Sequence, residues 1–290
     1  MRVVYSVSAM MIGALAFCGC SGSDERMASG SSAEMVADSG IVTGPAGALR
    51  VDDGGQGGVP VLFVHSFAGD SSHWEKQLAH LRPYRRALAF DLRGHGISDA
   101  SPDGSYEVDN FADDIAAVAD ALGLERFYLV GHSLGGAAAL VYAGRHPDRV
   151  AGLLLTGAPG KVPAAQAEKI IRSLEGENYQ KVMDDYWSQL TKNATPHTLS
   201  KLEAGRKKMP KDRSLAIIKG VFHYDPMPGL KGYTGHRLAV ISPREDTPYA
   251  LHRLVRGFPV KTIPGTSHWI QLDKPEGFNR ILDDFLKPVL

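Results

Sequence analysis

Ser133 is the residue whose surroundings point most clearly to chemistry. It lies in the motif Gly-His-Ser-Leu-Gly at 131–135, which follows four apolar residues at 127–130 and precedes an alanine-rich run. A short apolar run bounded by glycine predicts a buried strand, and the alanines predict a helix. Ser133 is therefore expected on a sharp strand-to-helix turn, with a glycine two residues to either side because only small neighbours fit there. Such a turn presents the serine hydroxyl as a nucleophile.

A serine hydroxyl is a weak nucleophile, so a base must lie within hydrogen-bond reach and an acid must orient that base. His268, one of eleven histidines, lies in the segment Pro-Gly-Thr-Ser-His-Trp between the last predicted strand and the last predicted helix, and we predict that it is the base. The acid is expected just beyond the strand predicted over 237–241, where Glu245 and Asp246 are adjacent. We favour Asp246, with Glu245 as the alternative.

Two backbone N–H groups are predicted to bind the oxyanion that forms when the serine attacks a carbonyl. Leu134 stands beside the nucleophile at a helix N-terminus, where negative charge is favoured, and Phe67 follows the strand predicted over 59–65. Four further residues are candidates for the substrate pocket: His65, Trp74, His132 and Trp269. The alternative for the tryptophans is an ordinary core position, and for His132 a structural place under the turn.

The elements that must position these residues alternate along the chain. Apolar runs predict strands over 49–51, 59–65, 86–91, 127–130, 150–156, 237–241 and 259–263, and periodic patterns predict helices over 72–81, 106–122, 136–143 and 275–286. This alternation indicates an α/β fold with a mostly parallel sheet and helices on both faces. Between about 162 and 225 only helical patterns occur. Because ligands bind beyond the carboxyl ends of parallel strands, we expect residues 161–231 to form a cap over the site.

Four segments together resemble the α/β-hydrolase fold superfamily, in the branch with a lid after the sixth strand. They are His-Ser-Phe-Ala-Gly at 65–69, Asp-Leu-Arg-Gly-His-Gly-Ile-Ser at 91–98, Gly-His-Ser-Leu-Gly-Gly at 131–136 and Gly-Thr-Ser-His-Trp at 265–269. The resemblance covers residues 48–290 and implies esterases, lactonases and carbon–carbon-bond hydrolases, which need no cofactor. The chain departs from the family pattern at Ser66 and Pro243, where glycine is more usual.

The chemistry that this resemblance implies is acyl transfer to water through Ser133, His268 and Asp246. The expected substrate is a small or medium carboxylic ester or lactone. Three alternatives stay open: a carbon–carbon-bond hydrolase with the same triad, an acyltransferase or perhydrolase, and a non-catalytic binding module with a hydrolase-like fold. A serine at the turn argues against the dehalogenase and epoxide-hydrolase relatives, which use aspartate there.

Composition excludes some partners and sites. The chain has 32 basic and 32 acidic residues, so its net charge gives no reason to expect a nucleic-acid partner. Its two cysteines are Cys18 and Cys20. The body of the protein can therefore hold no disulfide and no thiolate metal site, and we expect no metal.

The first nineteen residues are typical of a secretory leader, with one arginine and an apolar run of about fifteen residues. Their end resembles a bacterial lipoprotein signal, which implies lipidation of Cys20 because Gly19 occupies the position before cleavage. Residues 20–47 are rich in Ser, Gly, Ala and Asp and predict a flexible tether before a domain at 48–290. We expect an exported protein anchored to a membrane of the cell envelope, with plain secretion or an uncleaved anchor as alternatives.

Overall fold

The computed structural model describes residues 38–287 of the 290-residue chain. Within these residues, the strands are β1 Asp38–Gly44, β2 Gly47–Gly54, β3 Val61–Val64, β4 Ala87–Phe90, β5 Phe127–His132, β6 Val150–Thr156, β7 Arg237–Ile241 and β8 Val260–Thr262. The helices are α1 Glu75–Leu81, α2 Val108–Ala121, α3 Leu134–Arg145, α4 Ala164–Glu175, α5 Tyr179–Leu190, α6 Pro196–Lys208, α7 Lys211–His223, α8 Met227–Gly232, α9 Ile270–Asp273 and α10 Pro275–Phe285.

The strands form one eight-stranded sheet in the order β1-β2-β4-β3-β5-β6-β7-β8. The pairs β1–β2 and β2–β4 are antiparallel, and the other neighbouring pairs are parallel. Every residue of β3, β4 and β5 is buried, as expected for parallel strands that are covered on both faces. The architecture is that of an α/β-hydrolase fold, which confirms the predicted fold class.

Two hydrophobic cores lie on opposite faces of this sheet. Leu62 and Val64 of β3 point to one face, where they pack in the cluster that includes Phe111 of α2 and Leu140 of α3. Phe63 between them points to the other face and packs with residues of α1 and α10. Successive side chains of a strand point to opposite faces, so one apolar run supplies both cores. β5 is thereby held in the middle of the sheet, with the serine turn at its carboxyl end.

Five helices, α4 to α8, lie between β6 and β7 and form the cap that the sequence predicted over 161–231. The sequence pattern predicts helices over 179–190 and 196–208, and these bounds agree with α5 and α6, whereas it does not predict the short α8. Buried residues of the cap, such as Met183 and Trp187, share a hydrophobic cluster with Ala68 and Trp269 from the loops beyond the strands. The cap is therefore packed against the loops that carry the candidate site residues.

The predicted tether is wrong over its last ten residues. Residues 38–44 form β1, which pairs along its length with β2 through a tight turn. The Ser- and Gly-containing sequence of this segment has no apolar pattern that predicts a strand. An edge strand is held by backbone pairing, so its side chains need not be buried, and Ile41 on it is exposed. The predicted leader, Cys20 and the rest of the predicted tether lie outside the described residues. No helix among residues 38–287 is long and apolar enough to cross a membrane.

Candidate active site

Ser133 occupies the predicted strand-to-helix turn, between the end of β5 and the start of α3. Its backbone has φ 52° and ψ −115°, a left-handed conformation that a non-glycine residue adopts only under strain. Its N–H donates to the carbonyl oxygen of Thr156 at the end of β6, at 2.9 Å. A Cβ on Gly131 would lie 2.5 Å from the carbonyl oxygen of Gly135, and one on Gly135 would lie 2.5 Å from that of Val64. The motif needs its glycines because backbone passes close on both sides.

His268 lies on the loop between β8 and α9, as the sequence predicted. Its Nδ1 is 2.6 Å from Oε1 of Glu245, and both side chains are largely buried. A carboxylate oxygen can only accept a hydrogen bond, so Nδ1 carries the N–H, and Nε2 is the ring nitrogen left to exchange a proton with a substrate. Among the hydrogen bonds of residues 38–287, none joins the Ser133 hydroxyl to His268. Such bonds are often long before a substrate binds.

Glu245, and not Asp246, contacts the predicted base, so the choice of Asp246 was wrong by one residue. Glu245 ends a 3-10 turn after β7, and its Oε2 accepts the Ser242 N–H at 2.7 Å. Asp246 is exposed and binds His252 and Arg253 instead, at 2.7–2.8 Å. Its hydrogen bonds with Arg253 and His252 lower the pKa of Asp246 to about 2. Successive residues of such a turn point about 120° apart, so only one of two adjacent carboxylates can face the histidine.

His132 links the serine turn to the histidine loop. It is fully buried, its Nε2–H donates to the backbone oxygen of His268 at 3.0 Å, and its Nδ1 accepts from Gln271 at 3.2 Å. Burial, helped by the nearby His268, holds the pKa of His132 well below its usual value, so the ring is neutral. Its role is to fix the loop, which agrees with the structural alternative and not with a place in the substrate pocket.

Asp273 is a second anchor of this loop that sequence reasoning missed. Its Oδ2 accepts the N–H of Ser267 at 2.7 Å, and its Oδ1 accepts the N–H of Thr195 from the cap at 2.9 Å. The residue lies in the four-residue helix α9, which is too short to leave a periodic pattern in the sequence. No signal in the chain distinguished this aspartate from a solvated one.

The loop that carries Phe67 is held rigidly beside the turn. His65 donates from Nδ1 to the oxygen of Ser66 at 2.8 Å and accepts the Leu92 N–H on Nε2 at 3.0 Å. The Ser66 hydroxyl accepts the Trp269 indole N–H at 3.1 Å, which gives a reason for serine at a position where the family usually has glycine. Ala68 has φ 54°, so the chain turns sharply just after Phe67. Leu134, the first residue of α3, has an N–H without a partner inside the helix.

The four predicted pocket residues are core residues. His65, Trp74 and His132 have no exposed surface, and Trp269 is only 1% exposed. Trp74 packs between Phe63 and Phe278, in the core on one face of the sheet. Aromatic residues next to predicted loops are therefore a poor guide to a pocket, because the same residue types fill the space under those loops.

Two cavities lie against the site residues. One, of about 340 Å³, is lined by His268 and Glu245, with apolar walls that include Val162, Leu190 and Leu251. The other, of about 510 Å³, lies between α5 and α6, and its lining includes Phe67. The first thus borders the predicted base, and the second borders the predicted oxyanion loop.

Acid is expected to weaken the fold through its buried histidines. Burial lowers the pKa of His73 and of His95 to about 3, and it also holds the pKa of His132 well below its usual value. Because these rings stay neutral in the folded state while the unfolded chain takes up protons below about pH 6.5, the free energy of unfolding should fall as the pH falls from about 7.5 to about 5.5. Urea midpoints measured across this interval test this. A midpoint that stays constant would contradict it, since carboxylates titrate at lower pH.

Comparisons with known proteins agree with this fold. The chain matches the family model described as alpha/beta hydrolase fold over residues 59–196. It is 28% identical to the 2-hydroxy-6-oxo-2,4-heptadienoate hydrolase of Pseudomonas putida, with 79% of this chain and 89% of that protein covered. It is also 40% identical over 107 residues to the dihydrolipoyllysine-residue acetyltransferase component of the acetoin cleaving system of Pseudomonas putida. That match covers 37% of this chain and only 29% of the relative's length.

A solved structure with a similar fold is that of a thermophilic esterase from Thermogutta terrifontis. The TM-score is 0.71 at 24% sequence identity, over 86% of this chain and 98% of that one. The correspondence in fold therefore extends over nearly the whole of that esterase.

Proposed function

We propose that this chain, a hydrolase with the α/β-hydrolase fold, cleaves a small or medium carboxylic ester or lactone through an acyl-enzyme on Ser133. The observation that carries the proposal is the arrangement of three loops at the carboxyl ends of the strands. Ser133 stands on a strained turn after β5, and Glu245 holds His268 at 2.6 Å. The bond from His132 to the backbone of His268 ties the serine turn and the histidine loop together. In this proposal the nucleophile, the base and the acid lie together at the carboxyl ends of the strands.

The proposed reaction has two halves. Ser133 Oγ attacks the carbonyl carbon while Nε2 of His268 takes the hydroxyl proton, and Glu245 stabilises the charged imidazole. The N–H groups of Leu134 and Phe67 bind the oxyanion, a type of contact whose loss typically costs about 2.7–4 kcal/mol of transition-state stabilisation. The carbon–oxygen bond to the leaving group then breaks, and His268 returns the proton to the departing oxygen. Water repeats the sequence on the acyl-enzyme and releases the carboxylic acid.

We propose that the cavity beside His268 and Glu245 receives the leaving group; Ser133 is not among the residues that line it. His268 protonates the departing oxygen, so this part of the substrate must lie next to the histidine. The cavity there holds about 340 Å³ and has mostly apolar walls. An ester with an apolar alcohol fits this environment better than one with a charged alcohol, which would lose its hydration on entry.

A carbon–carbon-bond hydrolase is the second candidate. One relative that matches along most of both chains is a 2-hydroxy-6-oxo-2,4-heptadienoate hydrolase, and the same triad would serve that chemistry. A panel of p-nitrophenyl esters, lactones and dienoates separates the candidates. An acyltransferase or perhydrolase would be recognised by faster product formation when an alcohol or hydrogen peroxide competes with water.

Fluorophosphonate labelling tests the serine hydrolase proposal directly. We expect the wild-type protein to be labelled and Ser133→Ala to lose both labelling and ester turnover, the latter by about 10⁶-fold as in other serine hydrolases. Ser200→Ala is a suitable control, because this serine is exposed on α6 and does not carry the reaction in our scheme. An unlabelled wild type, or equal labelling of Ser133→Ala, would support the binding-module alternative.

We further propose that the protein is exported and anchored to a membrane of the cell envelope by a lipid on Cys20. The support is the leader-like sequence of residues 1–19 and the Gly19-Cys20 step at its end. Cys20→Ser should release the protein from membranes and abolish metabolic labelling with palmitate, whereas Cys18→Ser should leave both unchanged. Membrane association that persists in Cys20→Ser would contradict a lipid anchor on Cys20 and would indicate that another segment binds the membrane.

A further inference from the structure

Helix α5 of the cap contacts the loops that carry the proposed oxyanion donor, base and acid. Trp187 on α5 stacks on Trp269, the residue after the base, with ring centroids 5.5 Å apart and planes 8° from parallel. Trp187 also packs against Phe67 of the oxyanion loop, with ring centroids 6.1 Å apart and planes 29° from parallel. A third contact joins Gln189 of α5 to Arg244 of the acid loop, at 3.3 Å. Trp187 is 4% exposed, so this stack is part of the packed interior.

The end of α5 also holds the base through the backbone. The N–H of His268 donates to the carbonyl oxygen of Leu190, the last residue of the helix, at 3.0 Å. The last carbonyls of a helix have no partner within it, so His268 satisfies a group that would otherwise be unpaired. The backbone of the base is therefore held in place by the end of α5.

Helix α6 contacts the oxyanion loop in a different way. A Cβ on Gly205 would overlap the carbonyl oxygen of Ala68. A glycine in the middle of a helix is unfavourable compared with alanine, and here it allows the helix to lie directly on the loop. The cap thus contacts the oxyanion loop at two places. On α5 an aromatic side chain stacks on Phe67, and on α6 the backbone at Gly205 lies against the backbone of Ala68.

We propose that docking of α5 positions the catalytic loops, with Trp187 as the positioning residue, so that Ser133 reacts only while α5 is in place. This inference rests on the proposed serine hydrolase function. Trp187 acts through Phe67 and Trp269 and need not touch the reacting atoms. Undocking of α5 would remove the aromatic contacts of Trp187 with both loops and leave the bond from the Trp269 indole N–H to the Ser66 hydroxyl to join them.

The test compares two buried tryptophans. Trp187→Leu should lower the rate constant of fluorophosphonate labelling by about 100-fold, the size expected when reacting groups are displaced by about 1 Å. Trp187→Phe keeps an aromatic ring and should restore most of the rate. The control is Trp74→Leu, which also removes a buried indole but from the separate cluster where α1 and α10 pack on the sheet, and we expect it to label at close to the wild-type rate.

The pH profile separates positioning from loss of stability. The labelling rate of Trp74→Leu should keep the dependence on pH that the wild type shows. Trp187→Leu should lose it, because the serine no longer has the base beside it. The stacked Trp187–Trp269 pair should give a circular dichroism signal in the near ultraviolet, and Trp187→Leu should lose that signal. In the wild type, the signal and the labelling should be lost together as the urea concentration is raised.

Gly205→Ala tests the same docking without removing a core side chain. The added methyl group should push α6 off the oxyanion loop and reduce labelling by about tenfold or more. Gly176→Ala is the matched control, since a Cβ there meets no atom closer than 3.7 Å. Trp187→Leu that labels like wild type, or Trp74→Leu that loses as much, would overturn the inference. A wild type that is not labelled at all would reject the proposed function and this inference with it.

Discussion

Replacement of Glu245 by glutamine is expected to lower ester turnover by about 10⁴-fold, the loss seen when the acid of a serine triad is made neutral. The amide keeps the size of the side chain but removes the negative charge that stabilises protonated His268. It can also present N–H to Nδ1, which would favour the wrong tautomer of the ring. Steady-state kinetics with a p-nitrophenyl ester at a fixed pH measures the effect, and circular dichroism checks that the fold is unchanged.

Asp246→Asn is the matched control, because it makes the same chemical change at the adjacent residue. Asp246 is exposed and faces Arg253 and His252, so turnover should stay close to that of the wild type. A large loss in Asp246→Asn together with a small one in Glu245→Gln would restore the assignment that the sequence favoured. Equal and small effects would show that neither carboxylate serves the base.

The largest effect on stability is expected at the buried pair of Arg93 and Asp114. Arg93 lies on the loop after β4 and Asp114 on α2, their side chains are 4% and 0% exposed, and Nη2 of the arginine is 2.6 Å from Oδ1 of the aspartate. Asp114 also accepts the backbone N–H of Arg93 at 3.2 Å. Asp114→Ala would leave a buried guanidinium without its partner. We expect this to lower the free energy of unfolding by about 3–5 kcal/mol.

Urea denaturation of Asp114→Ala and of Asp113→Ala provides the measurement and its control. Asp113 pairs with Arg145 on the surface, where both side chains are about half exposed, and its loss should cost less than about 1 kcal/mol. The double variant, which carries both Arg93→Met and Asp114→Ala, should recover part of the lost stability, because no buried charge is left unpaired. Similar losses for the two single variants would show that burial does not set the strength of these pairs.

The sequence by itself determined the parts of this protein that depend on neighbours in the chain. The apolar run before Gly-His-Ser-Leu-Gly and the alanines after it define the strand, the turn and the helix around Ser133. The loop of His268 follows from a strand, a glycine and a helix in succession. The parallel sheet follows from the alternation of strands and helices, and the cap from a block that breaks this alternation.

The tertiary structure decided what depends on direction and on distant partners. Glu245 and Asp246 have the same charge and adjacent positions, and only the 3-10 turn after β7 determines which of them faces His268. Trp74 and Trp269 are core residues because elements far apart in the chain close over them. The strand β1 exists because β2 pairs with it. These are packing and orientation effects, and a one-dimensional pattern contains no measure of the angle at which a side chain leaves its turn.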